Sequence, residues 1–343
     1  MAENLDHIVF ITPGFANDET DTACLPYLQV YFKALIDHGF KISIITLHYP
    51  YKNEIYKWNN CNVYSFKKFK QWQKPKLWLK AINTIINLNK IEPISVIHSF
   101  WLGECALLGH LSGKLIKVKR LNTLMGQDVL KGNIYCQILP IKKMSLISLS
   151  PNHQNTFLKN YKLEIPIIPW GIETKKVEYD LDKTIDFIGV GSLIPVKNYA
   201  LFIDIIYKIN KIRKVSAVII GDGSEYELLK QKIVDLKLEN VISLLGVLKN
   251  EEVLVYLSKS RILLHTSKFE SFGMVFAEAL QHRVMIVSSP VGALFESPNI
   301  ALANNNPEFI KACENMLTKN FNPEFFNPFN IEKTIEGYNK YYK

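Results

Sequence analysis

Short runs of aliphatic and β-branched residues recur along the chain between segments whose apolar positions return every three to four residues. HIVFIT at 7–12, ISIITL at 42–47, SVIHS at 95–99, SLISLS at 145–150 and IPIIP at 165–169 form a first series. Runs of this kind alternating with helical patterns predict parallel strands in a sheet covered on both faces. Between the first two runs, Leu28, Phe32, Leu35 and Ile36 share one helical stripe and Gly39 supplies a stop, which predicts a crossover helix. A second series follows: IDFIGVG at 185–191, VSAVIIGDG at 215–223, VISLLG at 241–246, RILLHTS at 261–267 and VMIVSS at 284–289. Helices are predicted between them at about 198–211, 225–237, 250–259 and 273–282, so the second half reads as another doubly wound α/β unit.

The polar stretch PWGIETKKVEYDLDK at 169–183 opens on proline and glycine and follows neither period, which places the connection between two domains there. Ile331, Ile335, Tyr338 and Tyr342 make one more helical stripe after NPEFFNPFN, too late to belong to the second sheet. That helix is expected to cross back and cover the first domain. The expected boundaries are 1–170, 171–326 and, for the returning helix, 327–343. Open α/β domains bind ligands outside the C-terminal ends of their strands, so chemistry is expected in the loops that follow strands, facing a central cleft.

The length of 343 residues fits this reading, because single cores stop growing near ~250–300 residues. A hydrophobic content of 48% with 21% charged residues is that of an ordinary globular chain. The acidic start, MAENLD, is unlike a signal peptide, and no apolar run approaches the ~18–20 residues that span a bilayer, so a cytoplasmic protein is expected. Cys24, Cys61, Cys105, Cys136 and Cys313 are scattered and contain no C-x-x-C pair, which argues against a disulfide framework or a thiolate metal site. A formal charge of +9 favours an anionic partner: nucleic acid, anionic lipid or a phosphorylated substrate.

Three loops can carry chemistry. GVGSLIPVKN at 189–198 follows a strand and precedes a helix, so Gly191 lets backbone N–H groups approach an anion and Lys197 adds charge. GDGSE at 221–225 repeats the arrangement with Gly221 and Gly223, and Ser224 is placed to cap the next helix. Neither completes the G-x-G-x-x-G dinucleotide fingerprint, since Ile194 and Tyr226 stand at the third glycine, and no G-x-x-x-x-G-K-[ST] loop occurs. In FESFGMVFAEAL at 269–280, Glu278 is the only ionisable group from Phe272 to Gln281 on a helix that is apolar on nearly every side. A buried carboxylate costs several kcal/mol unless donors meet it, whether a lysine, a backbone N–H or the adjacent hydroxyls of a ligand such as a ribose. Glu270 falls in the loop before the helix, whose first residues, Phe272–Val275, present free N–H groups to an anion.

Glu270 and Glu278 resemble the E-x7-E motif of retaining GT-B glycosyltransferases, in particular glycosyltransferase family 4. GSLIPVKN at 191–198 is similar to that family's G-R-L-x-x-x-K-G loop, GDGSE to its G-x-G-P-E turn, and PVGAL after the following strand to its V-G-G. LLGVLKNEEVLVYLSKSRILLHTS matches the usual lead-in. In the first half VIHS at 96–99, TLMGQD at 123–128, ISLSPNH at 147–153 and IPIIPWGIE at 165–173 fall where the family carries V-I-H, H-G-x-D, its S-x-x stretch and its hinge. The resemblance implies two Rossmann-like domains, a nucleotide-diphosphate sugar (UDP- or GDP-linked) held mainly by the second, a carbohydrate or lipid-linked acceptor held mainly by the first, and no metal or other cofactor. It implies that Glu278 binds the ribose hydroxyls, that Glu270 binds the donor sugar, and that Lys197 and the N–H groups near Ser271, Phe272, Gly273, Met274 and Val275 neutralise the diphosphate. Leu248 is a further donor-side position. TPGF at 12–15, through Gly14 and Phe15, would close over the phosphates, with His98, Met125 and the catalytic position Asp128 on the acceptor side.

Three residues depart from the family pattern. Ser192 replaces an arginine, Met125 the histidine of H-G-x-D, and Arg283 a glycine after the helix, where it is a candidate for the missing cation. NDETDT at 17–22 brings Asp18, Glu19 and Asp21 where the family has a glycine-rich loop; these carboxylates are expected to turn outward, cap the next helix or meet the acceptor. FKKFKQWQKPKLWLK at 66–80 interleaves lysines with Trp72 and Trp78, which suits an anionic membrane surface or simply a charged loop entering a helix. No nucleic-acid-binding motif is recognisable. The expected function is a retaining glycosyltransferase moving a hexose-type sugar to a hydroxyl acceptor. Its rivals are a nucleotide-sugar-binding protein without turnover and an epimerase or hydrolase on the same fold.

Overall fold

β1 (His7–Gly14) and β2 (Lys41–Tyr49) run parallel and are joined by α1 (Pro26–Asp37), the crossover that the stripe at 28–36 predicts. The computed structural model describes residues 6–22, 24–173, 182–322 and 327–343. It divides into two units, Met1–Glu173 with Ile331–Lys343, and Thr174–Asn330. In the first, β3 (Ile55–Trp58) and β4 (Cys61–Ser65) form a hairpin and α2 (Lys74–Ile91) follows. Next come β5 (Val96–Phe100), α3 (Glu104–Ile116), β6 (Lys119–Thr123), the short α4 (Tyr135–Ile138), β7 (Ser145–Ile147) and α5 (Pro151–Tyr161). The sheet order is β3-β4-β2-β1-β5-β6-β7, parallel except for the β3–β4 hairpin.

The second unit comprises β8 (Ile185–Val190), α6 (Tyr199–Ile212), β9 (Ala217–Ile220), α7 (Tyr226–Asp235), β10 (Ile242–Leu244) and α8 (Asn250–Ser258). β11 (Ser260–His265), α9 (Met274–Gln281), β12 (Met285–Ser288), β13 (Ile300–Leu302) and α10 (Asn306–Leu317) complete it. Its order, β10-β9-β8-β11-β12-β13, is that of a doubly wound nucleotide-binding sheet, with the reversal between β8 and β11.

The returning helix, α11 (Ile331–Tyr342), belongs to the first unit. Tyr342 and Tyr338 are buried beside Phe10, Tyr31 and His98. Their hydroxyls complete a polar chain inside the apolar packing: Tyr342 meets Tyr31 at 2.6 Å and His98 Nδ1 at 2.7 Å, and Tyr338 meets Thr123 at 2.8 Å. Buried hydroxyls need such partners, which is why the stripe uses tyrosine without penalty.

Several elements differ from expectation. Segment 165–169 is no strand: only Ile167 bridges to Ser148, because Pro166 and Pro169 remove the ladder donors on either side. The runs at 215–223 and 145–150 shorten to Ala217–Ile220 and Ser145–Ile147. β3, β4, β6 and β13 carry too many polar residues, or too few residues, for an apolar run to mark them. Ser224 does not cap α7, whose N-cap is Glu225 without a side-chain bond. Most of the predicted linker, 174–181, lies outside the described residues.

Candidate active site

The order of the second sheet puts the loops after β8 and β11 side by side, where such sheets bind ligands. Side chains at the end of β11 lock the two loops together. Thr266 Oγ1 donates to the Asn198 carbonyl at 2.9 Å, Ser267 Oγ to the Val196 carbonyl at 3.1 Å, and the Lys268 N–H to that same carbonyl at 2.8 Å. Lys197 is thereby held at the β11 loop, where its ammonium pairs with Glu270 Oε1. His265, the last residue of β11, brings Nε2 within 2.9 Å of the same oxygen. Its ring is buried edge-on to Phe276, and burial holds its pKa below the usual imidazole value. The neutral ring therefore donates from Nε2.

Burial opposes ionisation of Glu270, but the His265 hydrogen bond and the Lys197 charge outweigh it and bring its pKa down to about 2. Both partners engage Oε1. Oε2 has no hydrogen-bond partner among the described residues and is available to a ligand hydroxyl. Gly292, at φ 63°, lies against this loop: a Cβ there would sit 2.3 Å from the Phe272 carbonyl oxygen and 3.2 Å from Glu270 Cβ.

Glu278 behaves differently. Its carboxylate, partly accessible, meets no side chain or backbone N–H among the described residues, and burial raises its pKa to about 7. No lysine or amide among the described residues satisfies it within the protein. At the start of the same helix Gly273 adopts φ 87°, and among the described residues the N–H groups of Gly273 and Met274 have no backbone partner, which leaves them open at the positive end of α9.

The glycines of the two earlier loops have a packing reason beside the expected one. Gly191 and Gly221 both have φ 145°, and a Cβ on Gly221 would fall 2.0 Å from the Gly191 carbonyl oxygen; one on Gly223 would fall 2.4 Å from that of Leu193. The loops are stitched together by Gly191 N–H to Ile220 O, Leu193 N–H to Asp222 O and Glu225 N–H to Leu193 O. Ser192 is exposed on this double loop and Leu248 half-buried on the loop after β10. Arg283 is not the replacement for the missing arginine: it follows the C-terminal end of α9, beside Lys183, whereas Glu270 precedes the N-terminal end.

Two family models match, "Glycosyl transferases group 1" over residues 172–297 and "Glycosyl transferase 4-like" over residues 20–150. Each model spans a little over a third of the chain, which is thus similar to the group 1 glycosyltransferases in its second half and to the 4-like glycosyltransferases in its first. An uncharacterised glycosyltransferase of Methanocaldococcus jannaschii is 28% identical over 85% of this chain and 86% of its own. The N-acetyl-alpha-D-glucosaminyl L-malate synthase of Bacillus anthracis is 23% identical over 77% of this chain and 74% of its own. Among solved structures the Anabaena HepE protein, in complex with UDP and glucose, superposes with a TM-score of 0.73 at 16% identity, covering 98% of both chains. The fold is that of the GT-B glycosyltransferases.

In the first unit, several predicted site residues are engaged in the packing and hydrogen bonding of the fold. His98 is fully buried, held between Tyr342 and, at 2.8 Å, Thr123 Oγ1, and burial drives its pKa well down; it packs the returning helix and is withdrawn from the site. Phe15 is buried against Phe32 and Trp58, and its N–H is taken by the Tyr49 carbonyl at 3.0 Å. Gly14 is buried too, and a Cβ there would sit 3.3 Å from Tyr49 Cβ and 3.6 Å from Cys24 Sγ.

Asp128 accepts three backbone N–H groups, from Leu102 at 2.7 Å, Gly126 at 2.8 Å and Met125 at 3.2 Å. That makes it an organiser of the β5 and β6 loops, and Met125 beside it is buried. The acidic loop folds on itself instead of capping α1: Asp21 accepts from the N–H groups of Asn17 and Cys24, Asp18 from Thr20, and Glu19 from the Asn59 N–H. The cap of α1, Leu25, has no side-chain bond.

Sequence reasoning missed His265 and the cluster around Glu104. Glu104, opening α3, accepts from the Trp78 indole and from His48 at 2.8 Å, with Lys74 Nζ 3.5 Å away. Trp78 and Lys74 belong to the basic aromatic segment, so part of that segment is tied to the strand-end loops. His265 sits five residues before Glu270 at the end of an apolar run, a spacing that could have suggested a partner. Glu104 has no local signal, since its partners come from two distant stretches.

Proposed function

We propose that this glycosyltransferase is a retaining, metal-independent enzyme that moves a hexose-type sugar from a UDP-linked donor to a hydroxyl acceptor. The observation that carries the reading is Glu278: a partly accessible carboxylate without a donor among the described residues, beside the open N–H groups of α9, suits a ribose followed by a diphosphate. UDP accompanies the Anabaena protein in its structure, and the Bacillus relative's name specifies an N-acetylglucosaminyl group, so UDP-N-acetylglucosamine is the first donor to try.

In this reading Glu270 Oε2 accepts a hydroxyl of the donor sugar, while Lys197 and the amides of Gly273 and Met274 meet the diphosphate. The bond from the anomeric carbon to the diphosphate breaks, a bond from the acceptor oxygen forms on the same face, and the acceptor proton passes to the leaving phosphate oxygen. The protein contributes orientation and charge stabilisation rather than a nucleophile. The acceptor is assigned to the first unit, with its loops after β5 and β6.

An assay of UDP release with a panel of sugar, hydroxy-acid and lipid-linked acceptors tests the proposal. A glycoside whose anomeric proton has the donor's configuration by NMR is the expected product. An inverted product, or an epimerised or hydrolysed donor with no glycoside, contradicts it.

A further inference from the structure

At the opposite end of the first sheet from these loops, where β6 and β7 begin, lies a cavity of about 320 Å³ lined by His110, Lys119, Arg120, Lys143 and Lys340. Among the described residues no carboxylate side chain lines it. The lysines and the arginine come from three separate elements, β6, the turn before β7 and the returning helix, and the His110 imidazole from α3. Like charges converging from separate elements repel one another, so their gathering around a concave space favours occupation by an anion. Two further features make this a shaped site. Gly113 has no Cβ, and one added there would strike Arg120 Cγ at 2.4 Å, so α3 leaves a slot in which the Arg120 stem lies. Asn122, 2% exposed, also lines the cavity; its amide nitrogen donates to the Ser99 and Trp101 carbonyls, while its Oδ1 has no partner. A buried acceptor in that state calls for a donor from the ligand.

We propose that this cavity is a second ligand site, separate from the donor site, for a phosphorylated molecule that also carries a hydroxyl group. The phosphate meets Arg120, Lys143 and Lys340, with Arg120 able to grip it through two parallel N–H bonds, and the hydroxyl serves Asn122. Lys119 is partly engaged, since its ammonium donates to the Lys343 carbonyl. His110 reports on the site: burial lowers its pKa, and the charges of Arg120 and Lys114 lower it further, so a bound anion must raise it.

Inorganic pyrophosphate is the probe, added to the full chain at constant ionic strength while the His110 imidazole is titrated by NMR. Saturating pyrophosphate is expected to raise the His110 pKa by at least half a unit. The doubly substituted Lys143→Gln, Lys340→Gln variant, changed only at exposed positions, is expected to lose the shift while binding UDP as the unmodified chain does. No shift with pyrophosphate, an equal shift with chloride, or a shift that survives both substitutions overturns the proposal. Vesicles containing phosphatidic acid assign the source: sedimentation with them that pyrophosphate reverses indicates a lipid headgroup, and pyrophosphate binding without such sedimentation indicates a soluble phosphate.

Discussion

Two glutamates eight positions apart are put to opposite uses by their surroundings. Glu270 is ionised under all ordinary conditions, because His265 and Lys197 overcome its burial. Glu278 has burial alone and titrates near pH 7. A carboxyl group whose folded pKa lies above its unfolded value of about 4.3 stabilises the fold relatively at low pH, and that advantage is lost as pH rises through 7. The neutral isostere removes the penalty. Glu278→Gln is therefore expected to raise the thermal midpoint of the ligand-free chain at pH 8, by the equivalent of about 1–3 kcal/mol, and to change it little at pH 4.5. Equal shifts at both pH values would show that Glu278 is not held in a carboxylate-hostile site.

The elements around these residues work through backbone contacts that a side chain would obstruct. Gly221→Ala would push a Cβ to within 2.0 Å of the Gly191 carbonyl oxygen at a backbone angle that L-residues rarely adopt. It is expected to destabilise the second unit by about 2–4 kcal/mol, read by chemical denaturation; wild-type stability would contradict the interlocked loops. The sequence revealed these loops, the parallel strands and the returning helix, because each rests on a local pattern: an apolar run, a glycine pair or a helical stripe. It gave no sight of the β3–β4 hairpin, whose residues (IYKW, CNVYS) alternate with charge and amide. It also did not show the structural partners of His98 and Asp128, since the hydroxyls that enclose one and the amides that bond the other come from residues far apart or from the turn of the backbone itself. His265 was hidden for the converse reason: within RILLHTS it reads as a packed histidine, and only its spacing to Glu270 hints that it orients a carboxylate.

For the whole molecule, the excess of +9 is unevenly spread, and the first unit carries both the phosphate cavity proposed above and the segment 66–80. Trp72 is 70% exposed there among Lys67, Lys68, Lys70 and Lys76, while Trp78 turns inward to Glu104. No helix among the described residues is long and apolar enough to cross a membrane. Segment 66–80 is expected to hold the chain on anionic vesicles; Trp72→Ala with Lys68→Gln and Lys70→Gln should weaken sedimentation at least tenfold, and unchanged binding would free the segment of that role. The central claim concerns the second unit and is tested most directly by calorimetry of UDP with the wild-type chain and with Glu278→Gln. Loss of the carboxylate's bonds to two ribose hydroxyls predicts at least a tenfold weaker affinity, since hydrogen bonds to charged groups contribute about 1.5–3 kcal/mol. Equal affinity in the two proteins would contradict the assignment of Glu278 to the nucleotide.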